Sequence, residues 1–396
     1  MKVIYFNYLY DTQNLSVGSS VHVNEFVKEF QKFHDIKVFN QNQFNYNGTE
    51  EPGFYGRIKI GLKRKLSKWL NQIMALLKNA KYIVAENKII NKERPDVILS
   101  RYDLMNFSSV LLAKLKGIPI ILEVNSPHAY ESKKFYKQYF QLPIIPGLIE
   151  KLNLKFSDAV VVVSNELKDY LVGLGIPESK IYVVCNGVDV SKFTANNNNN
   201  NNIKNNPEYA GKIVIGYVGS FHYWHGLDKI QTVIQELLKF HQDVHFLLVG
   251  DGVLRDDLLE FIRDEKIEKR VSLPGYIPHQ DIPNYLSSMD IMIAPYPNID
   301  FFYFSPLKLF EYMASGKAIV ASRIGQIKEI LTEKDNGLMF EAGNYAELIE
   351  QLKLVVSNPD LRERIGKHAR KTVEANFTWQ DNAQKISNIC ETLISN

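Results

Sequence analysis

Short apolar runs and amphipathic stretches alternate along nearly the whole chain. Strand-like runs, mostly aliphatic and aromatic, occur at residues 3–8, 36–39, 97–99, 118–124, 159–163 and 181–184. Between them apolar residues recur at helical spacing, as at Val21, Val23, Phe26, Val27, Phe30 and Phe33. The scheme restarts at 213–218 and continues through 244–249, 271–273, 291–294, 318–321 and 338–340. A second set of helical stripes lies between these runs, for example Leu227, Ile230, Val233, Ile234, Leu237 and Leu238. Largely apolar strands alternating with amphipathic helices predict parallel sheets covered by helices on both faces. Two such series predict an α/β chain made of two Rossmann-like, doubly wound domains.

The break between the series follows Asn186-Gly-Val-Asp189, which sets the expected domains at 1–186 and 187–376. Residues 196–206 are dominated by asparagine and cannot build a core, so a disordered surface loop without chemistry is expected there. The tail 377–396 carries Trp379, Ala383, Ile386, Ile389 and Leu393 at helical spacing. It is expected to form a last helix that packs back on the first domain.

Composition narrows the function classes. The chain has 396 residues, 45% hydrophobic and 23% charged, with a formal charge of +3, which gives no general pull toward nucleic acid. Cys185 and Cys390 are the only cysteines, so neither a disulfide framework nor a cysteine zinc site is expected. That fits a reducing, cytoplasmic setting. No small-residue cleavage site follows the first run, and no apolar run approaches a membrane span. Charge is concentrated in one place: residues 57–81 hold Arg57, Lys59, Lys63, Arg64, Lys65, Lys68, Lys78 and Lys81 and no acid. Leu62, Leu66, Trp69, Ile73 and Leu76 fall at helical spacing in the same stretch. The pattern suits either a core-facing helix with a solvated basic back or peripheral contact with the inner face of an anionic membrane.

The candidate chemistry centres on Tyr303-Phe-Ser-Pro-Leu-Lys-Leu-Phe-Glu-Tyr-Met-Ala314. Ser305 is a suitable helix N-cap and Pro306 a suitable first helical residue. Lys308 in the first turn opposes the helix dipole unless an anion such as a diphosphate binds there. The N–H of Leu307 would point at the same anion. Lys308 and Glu311 are three apart and share a face, which suits a ligand with a phosphate end and a hydroxyl-bearing end, such as a nucleotide sugar. The plainer alternative is a surface ion pair. Glycine turns stand at the carboxyl ends of the predicted strands: Gly216 and Gly219, Gly250 and Gly252, and Gly275 followed by Tyr276. Gly18, Ser19 and Ser20 open the first helix as a possible phosphate or acceptor loop. No complete G-x-G-x-x-G run is present, which argues against a nicotinamide dehydrogenase.

Several motifs together resemble the retaining glycosyltransferases of family 4. They are Cys185-Asn-Gly-Val-Asp189, Gly216-Tyr-Val-Gly-Ser220 with His225-Gly226, the Ser305–Ala314 stretch, Gly325 with Glu329, and Asn336-Gly-Leu338. The resemblance implies a GT-B architecture of two Rossmann-like domains facing across a cleft. It places the donor in the C-terminal domain and the acceptor mainly in the N-terminal one, and implies metal-independent transfer without a cofactor. By the resemblance, Gly219, Ser220, His225, Gly250, Tyr276, Ser305, Leu307, Lys308 and Glu311 bind the donor, a nucleoside diphosphate sugar. UDP-sugars are favoured and GDP-mannose is next. The acceptor is a glycan or a lipid-linked glycan.

The chain also departs from the family pattern. Ser220 and His225 stand where the family has arginine and lysine, Tyr303 where it has the first of two glutamates, and Pro306 where glycine is frequent. Lys308 then becomes the candidate cation for the leaving diphosphate, with His225 as a donor beside it and Glu311 holding the ribose. On the acceptor side Glu123, Asn125, His128 and Glu131 follow a strand and are candidates for positioning sugar or acceptor. Arg101 and Asp103 lie beyond another strand, either near the site or as a local ion pair. A nucleotide-sugar epimerase of the same fold and a non-catalytic nucleotide-sugar-binding relic are the alternatives.

Overall fold

The structure, a computed structural model, describes residues 1–8, 18–40, 63–134, 142, 144–193 and 208–395. The asparagine-rich stretch 196–206 and residues 57–62 of the basic segment lie outside the described residues. The chain divides into two compact units, Met1–Cys185 with Asn382–Asn396, and Asn186–Asp381.

In the first unit, six parallel strands form one sheet: β1 Lys2–Asn7, β2 Asp35–Asn40, β3 Val97–Arg101, β4 Ile120–Val124, β5 Ala159–Val162 and β6 Ile181–Val183. Their order is β2-β1-β3-β4-β5-β6. β3, β4 and β5 are buried at every position, as continuous apolar runs require when helices cover both faces. β4 starts two residues later than its apolar run. Gly117 ends the helix Ser108–Lys116 in the left-handed conformation, and the Ile118 N–H bonds back to Ala113 O at 3.0 Å.

The second unit repeats the plan with β7 Ile213–Val218, β8 Val244–Val249, β9 Val271–Gly275, β10 Ile291–Ala294, β11 Ala318–Ser322 and β12 Leu338–Phe340. Their order is β12-β11-β10-β7-β8-β9, a doubly wound sheet. The helix Ile230–Phe240 buries Ile230, Val233, Ile234, Leu237 and Leu238 against it, the same stripe that the spacing singled out. The order of strands reverses between β1 and β3 in one unit and between β7 and β10 in the other. In open sheets of this kind ligands bind beyond the carboxyl ends of the strands at such points.

Two helices complete the first unit. The last helix, Trp379–Ser395, is tied to it by Asn382 Nδ2 donating to Cys185 O at 2.7 Å and by a 2.7 Å contact between Ser387 Oγ and His34 Nε2. The helix Lys63–Glu93 is held through polar side chains. Gln72 exchanges hydrogen bonds with the backbone of Leu142, Asn79 donates to Met105 O, and Glu86 accepts from Tyr8 Oη and Ser108 Oγ. Ile73 and Leu76, expected on a core-facing stripe in one of the two readings, are instead exposed. Leu62, Leu66 and Trp69 of that stripe lie outside the described side chains, and the inward positions hold Gln72, Asn79 and Glu86 together with Tyr82, Ala85 and Ile90.

Candidate active site

In the second unit the helix Leu307–Ala314 is fastened to the end of β7. Tyr312 Oη accepts the Val218 N–H at 2.7 Å. This brings Lys308 to the carboxyl edge of the sheet. Its Nζ donates to Tyr217 Oη at 2.8 Å and lies 4.2 Å from the Tyr217 ring centroid and 5.5 Å from that of Tyr296. Tyr217 and Tyr296 follow from β7 and β10, the two strands that flank the reversal. Burial among these rings lowers the Lys308 pKa to about 7, with the Glu311 carboxylate opposing the shift.

His225 stands beside it, its ring 5.6 Å from that of Tyr296. Burial first, then the charges of Lys308 and His222, push its pKa down to about 2. The imidazole is therefore neutral in the empty protein, and its buried Nδ1 has no hydrogen-bond partner among the described residues. A bound anion would supply both a partner and the opposite charge.

Ser305 does not cap the helix. Pro306 occupies the N-cap position with φ −73° and ψ 111°, and no side chain caps the end. The Ser305 hydroxyl accepts the Asn186 N–H at 2.9 Å, and its carbonyl accepts from Asn186 Nδ2 at 2.6 Å. The serine is spent on fixing the segment that opens the unit. The N–H groups of Leu307 and Lys308 are accordingly left without a capping side chain, an arrangement suited to an anion.

Glu311 is buried, and its Oε1 lies 2.6 Å from His279 Nε2. His279 comes from the turn His279–Asp281 that follows β9. It was absent from the residues singled out by motif, and its one sequence signal is that it follows a strand end. Tyr276 is exposed just past β9, and Ser220 is exposed just past β7. Gly250 lies between them at the end of β8, its N–H donating to Gly275 O at 2.9 Å. A Cβ on Gly250 would lie 1.9 Å from Gly219 O, so the two loops approach too closely for any side chain there. Tyr303 is buried, with its ring 4.4 Å from that of Phe304 and 5.2 Å from that of Phe301. An aromatic cluster thus fills the place of the family's first glutamate.

In the first unit Glu123 is the penultimate residue of β4 and is buried. It accepts hydrogen bonds from Tyr5 Oη and from Asn125 Nδ2 at 2.5 Å, and pairs with His22 Nε2 at 2.9 Å. Burial opposes its ionisation. His22, Arg101 and the Tyr5 hydroxyl outweigh burial and hold its pKa well below the usual carboxylate range. Arg101 is its neighbour in register across β3 and β4, and its charge favours the ionised Glu123. His128 packs against Tyr102 with ring centroids 5.4 Å apart, and Ser126 Oγ lies 3.3 Å from its Nδ1. Burial, helped by the Arg101 charge, lowers its pKa to about 4. Glu131 joins the same group, 3.7 Å from His128 Nδ1. Gly18, Ser19 and Ser20 form the first turn of the helix Gly18–Phe30, with His22 one turn on. His22 was not among the expected residues. Nothing local to residue 22 signals a pairing with residue 123.

The chain as a whole matches family models of known class. A family model described as "Glycosyl transferases group 1" matches residues 198–372, and one described as "Glycosyltransferase Family 4" matches 17–192. The chain belongs to glycosyltransferase family 4. This glycosyltransferase is 24% identical over 332 residues to the Escherichia coli UDP-Gal:alpha-D-GlcNAc-diphosphoundecaprenol alpha-1,3-galactosyltransferase, covering 82% of each chain. It is 26% identical over 253 residues to the Bacillus anthracis N-acetyl-alpha-D-glucosaminyl L-malate synthase, covering 63% of this chain and 62% of that one. It spans 66% of the glycogen synthase of Mycobacterium tuberculosis, at 21% identity over 290 residues and 72% of this chain.

Among solved structures, the glycosyltransferase resembles Anabaena Alr3699/HepE in complex with UDP, with a TM-score of 0.69 and 15% identity over 99% of this chain and 100% of that one. It also resembles the sucrose-phosphate synthase of Thermosynechococcus elongatus, with a TM-score of 0.73 and 17% identity over 100% and 99%. The fold is that of the GT-B glycosyltransferases.

Proposed function

We propose that this glycosyltransferase moves a sugar, with retention of anomeric configuration and without a metal, from a UDP-sugar to a glycan or lipid-linked acceptor. The observation that carries the donor assignment is Lys308 Nζ held at the end of β7 beside the uncapped first turn of Leu307–Ala314. Breaking the glycosidic bond to a nucleoside diphosphate leaves charge on the departing phosphate. A fixed cation, two backbone N–H groups and the His225 imidazole stabilise that charge more in the transition state than before it. In this reading Lys308 takes the electrostatic part. The departing phosphate would accept the proton of the incoming hydroxyl on the same face of the sugar, which gives retention without a separate base. Glu311 would accept hydrogen bonds from the ribose hydroxyls, and Glu123, Asn125 and His128 would position sugar or acceptor. UDP in the Anabaena structure supports uridine over guanosine.

Thermal shift with a panel of nucleotide sugars checks the donor. A UDP-sugar is expected to raise the melting temperature most, since a ligand that binds only the folded state stabilises by mass action. A larger shift with GDP-mannose would overturn the choice of nucleotide. Product stereochemistry by NMR, with and without EDTA, checks retention and metal independence.

His279 fixes the Glu311 carboxylate for the ribose. His279→Ala is expected to raise KM for the donor about tenfold, the loss of one hydrogen bond to a charged group, while kcat changes little. A fall in kcat at unchanged KM would place His279 elsewhere in the reaction.

A further inference from the structure

Over residues 70–79 the helix Lys63–Glu93 has its amphipathic order reversed, whereas further on it buries Tyr82, Ala85 and Ile90. Gln72, Asn79 and Glu86, seven residues apart, are buried, whereas Leu70, Met74 and Leu77 are 53%, 57% and 58% exposed on the outer face. A helix on a soluble surface ordinarily does the opposite. The outer faces of the helices Ser108–Lys116 and Ile144–Phe156 continue the pattern with Leu115, Ile144 and Leu148 exposed. Where the three helices meet lies a groove of about 520 Å³, lined by Leu76, Phe107, Leu111, Leu152 and Phe156, with Lys114 and Asn153 as polar members. Asn153 Nδ2 is already committed to Asn106 O at 2.7 Å. Exposed apolar side chains on three adjoining helices, together with an apolar groove at their junction, mark a candidate interaction site.

The charges around it select the partner. Lys78, Lys81, Lys114, Lys116, Lys151 and Lys155 are exposed on the three helices. Every acid that these helices carry, Glu86, Glu93 and Glu150, is buried. Asp158, just beyond them, is paired with Lys114. The exposed charges that the three helices carry are thus cationic, and the groove lining is hydrocarbon apart from Lys114 and Asn153. A protein partner brings polar groups that need counterparts. Acyl chains need none, and lysines can extend to anionic headgroups while their stems lie along the apolar surface.

We propose that this face of the first unit docks on an anionic phospholipid bilayer, with one acyl chain entering the groove. The sequence pointed to membrane contact through residues 57–81. The groove shifts the centre of that contact to the junction of three helices between Leu76 and Phe156. The inference concerns where the protein binds and stands independently of the transfer reaction.

Vesicle sedimentation of the full chain tests it. Binding is expected to vesicles of phosphatidylcholine with phosphatidylglycerol at low salt, at least about tenfold weaker binding to phosphatidylcholine alone, and loss at high salt as the charges are screened. Leu115→Asp and Leu148→Asp change exposed residues, so both are expected to keep the wild-type melting temperature and lose binding. Leu152→Trp places a fluorophore in the groove, and lipids brominated along the acyl chain are expected to quench it beyond the wild-type level. Binding without that extra quenching would overturn entry of a chain into the groove. No binding to anionic vesicles at low salt, or binding that both aspartate variants retain, would overturn the docking surface. A dimer in solution that the aspartate variants dissolve, without vesicle binding, would assign the face to a second copy.

Discussion

Lys308→Ala is expected to lower turnover about a hundredfold, the effect of removing one preorganised donor from a developing oxyanion, about 3 kcal/mol. The fold should survive, because the Lys308 head is buried only among the rings of Tyr217 and Tyr296. Its pKa adds a pH signature. Burial lowers it to about 7 in the empty protein, whereas a bound diphosphate favours the charged form and raises it again. Donor binding above pH 7 therefore takes up a proton. Affinity for a UDP-sugar, whose diphosphate does not titrate in this range, should be flat below about pH 7. Above that it should fall, at most tenfold per pH unit.

Lys308→Arg keeps its charge throughout and should flatten that profile. The same linkage acts on stability. The unfolded lysine holds its proton up to its ordinary value of 10.5, while the folded one releases it near 7. Stability of the empty protein thus falls as pH drops from 10.5 toward 7. Lys308→Met removes this cost and should raise the melting temperature of the empty protein at pH 7. Kinetics and melting curves from pH 6 to pH 9 check all three expectations. Unchanged turnover in Lys308→Ala would remove Lys308 from the leaving-group site.

Gly219→Ala is expected to be nearly as damaging, for a different reason. Gly219 has φ +147°, a conformation that side chains rarely adopt. A Cβ there would lie 2.5 Å from Lys308 Nζ and 2.9 Å from Tyr217 Oη. The lysine is flexible and can move, but moving takes its charge away from Tyr217 and from the uncapped helix end. Turnover should fall at least tenfold, and stability should drop by about 1–3 kcal/mol from backbone strain. Urea denaturation separates the two effects, since Lys308→Ala lacks the second. The double variant should lose little more turnover than Lys308→Ala alone, because both act through one charge. Additive losses would mean that Gly219 contributes to the site by some other route.

The inner strands are legible from their aliphatic runs because a strand buried on both faces is largely apolar, whereas the edge strands β2, β6 and β9 are only partly buried. Lys308 and Glu311 are legible together because helical spacing places residues three apart on one face. Ser305 was readable as a cap by residue type. Its hydroxyl instead serves Asn186, 119 positions earlier, a partner no local rule contains. His279 and His22 stayed hidden for the same reason: their contacts with Glu311 and Glu123 exist only once strand order has been set. The helix Lys63–Glu93 shows the limit most plainly. Spacing specifies that it has an apolar stripe and a polar one. Which stripe turns inward depends on what lies beneath, and Gln72, Asn79 and Glu86 find backbone and hydroxyl partners there. Periodicity is a property of the chain alone. The partner of a buried polar group is a property of the assembled sheet and helices, and only tertiary structure supplies it.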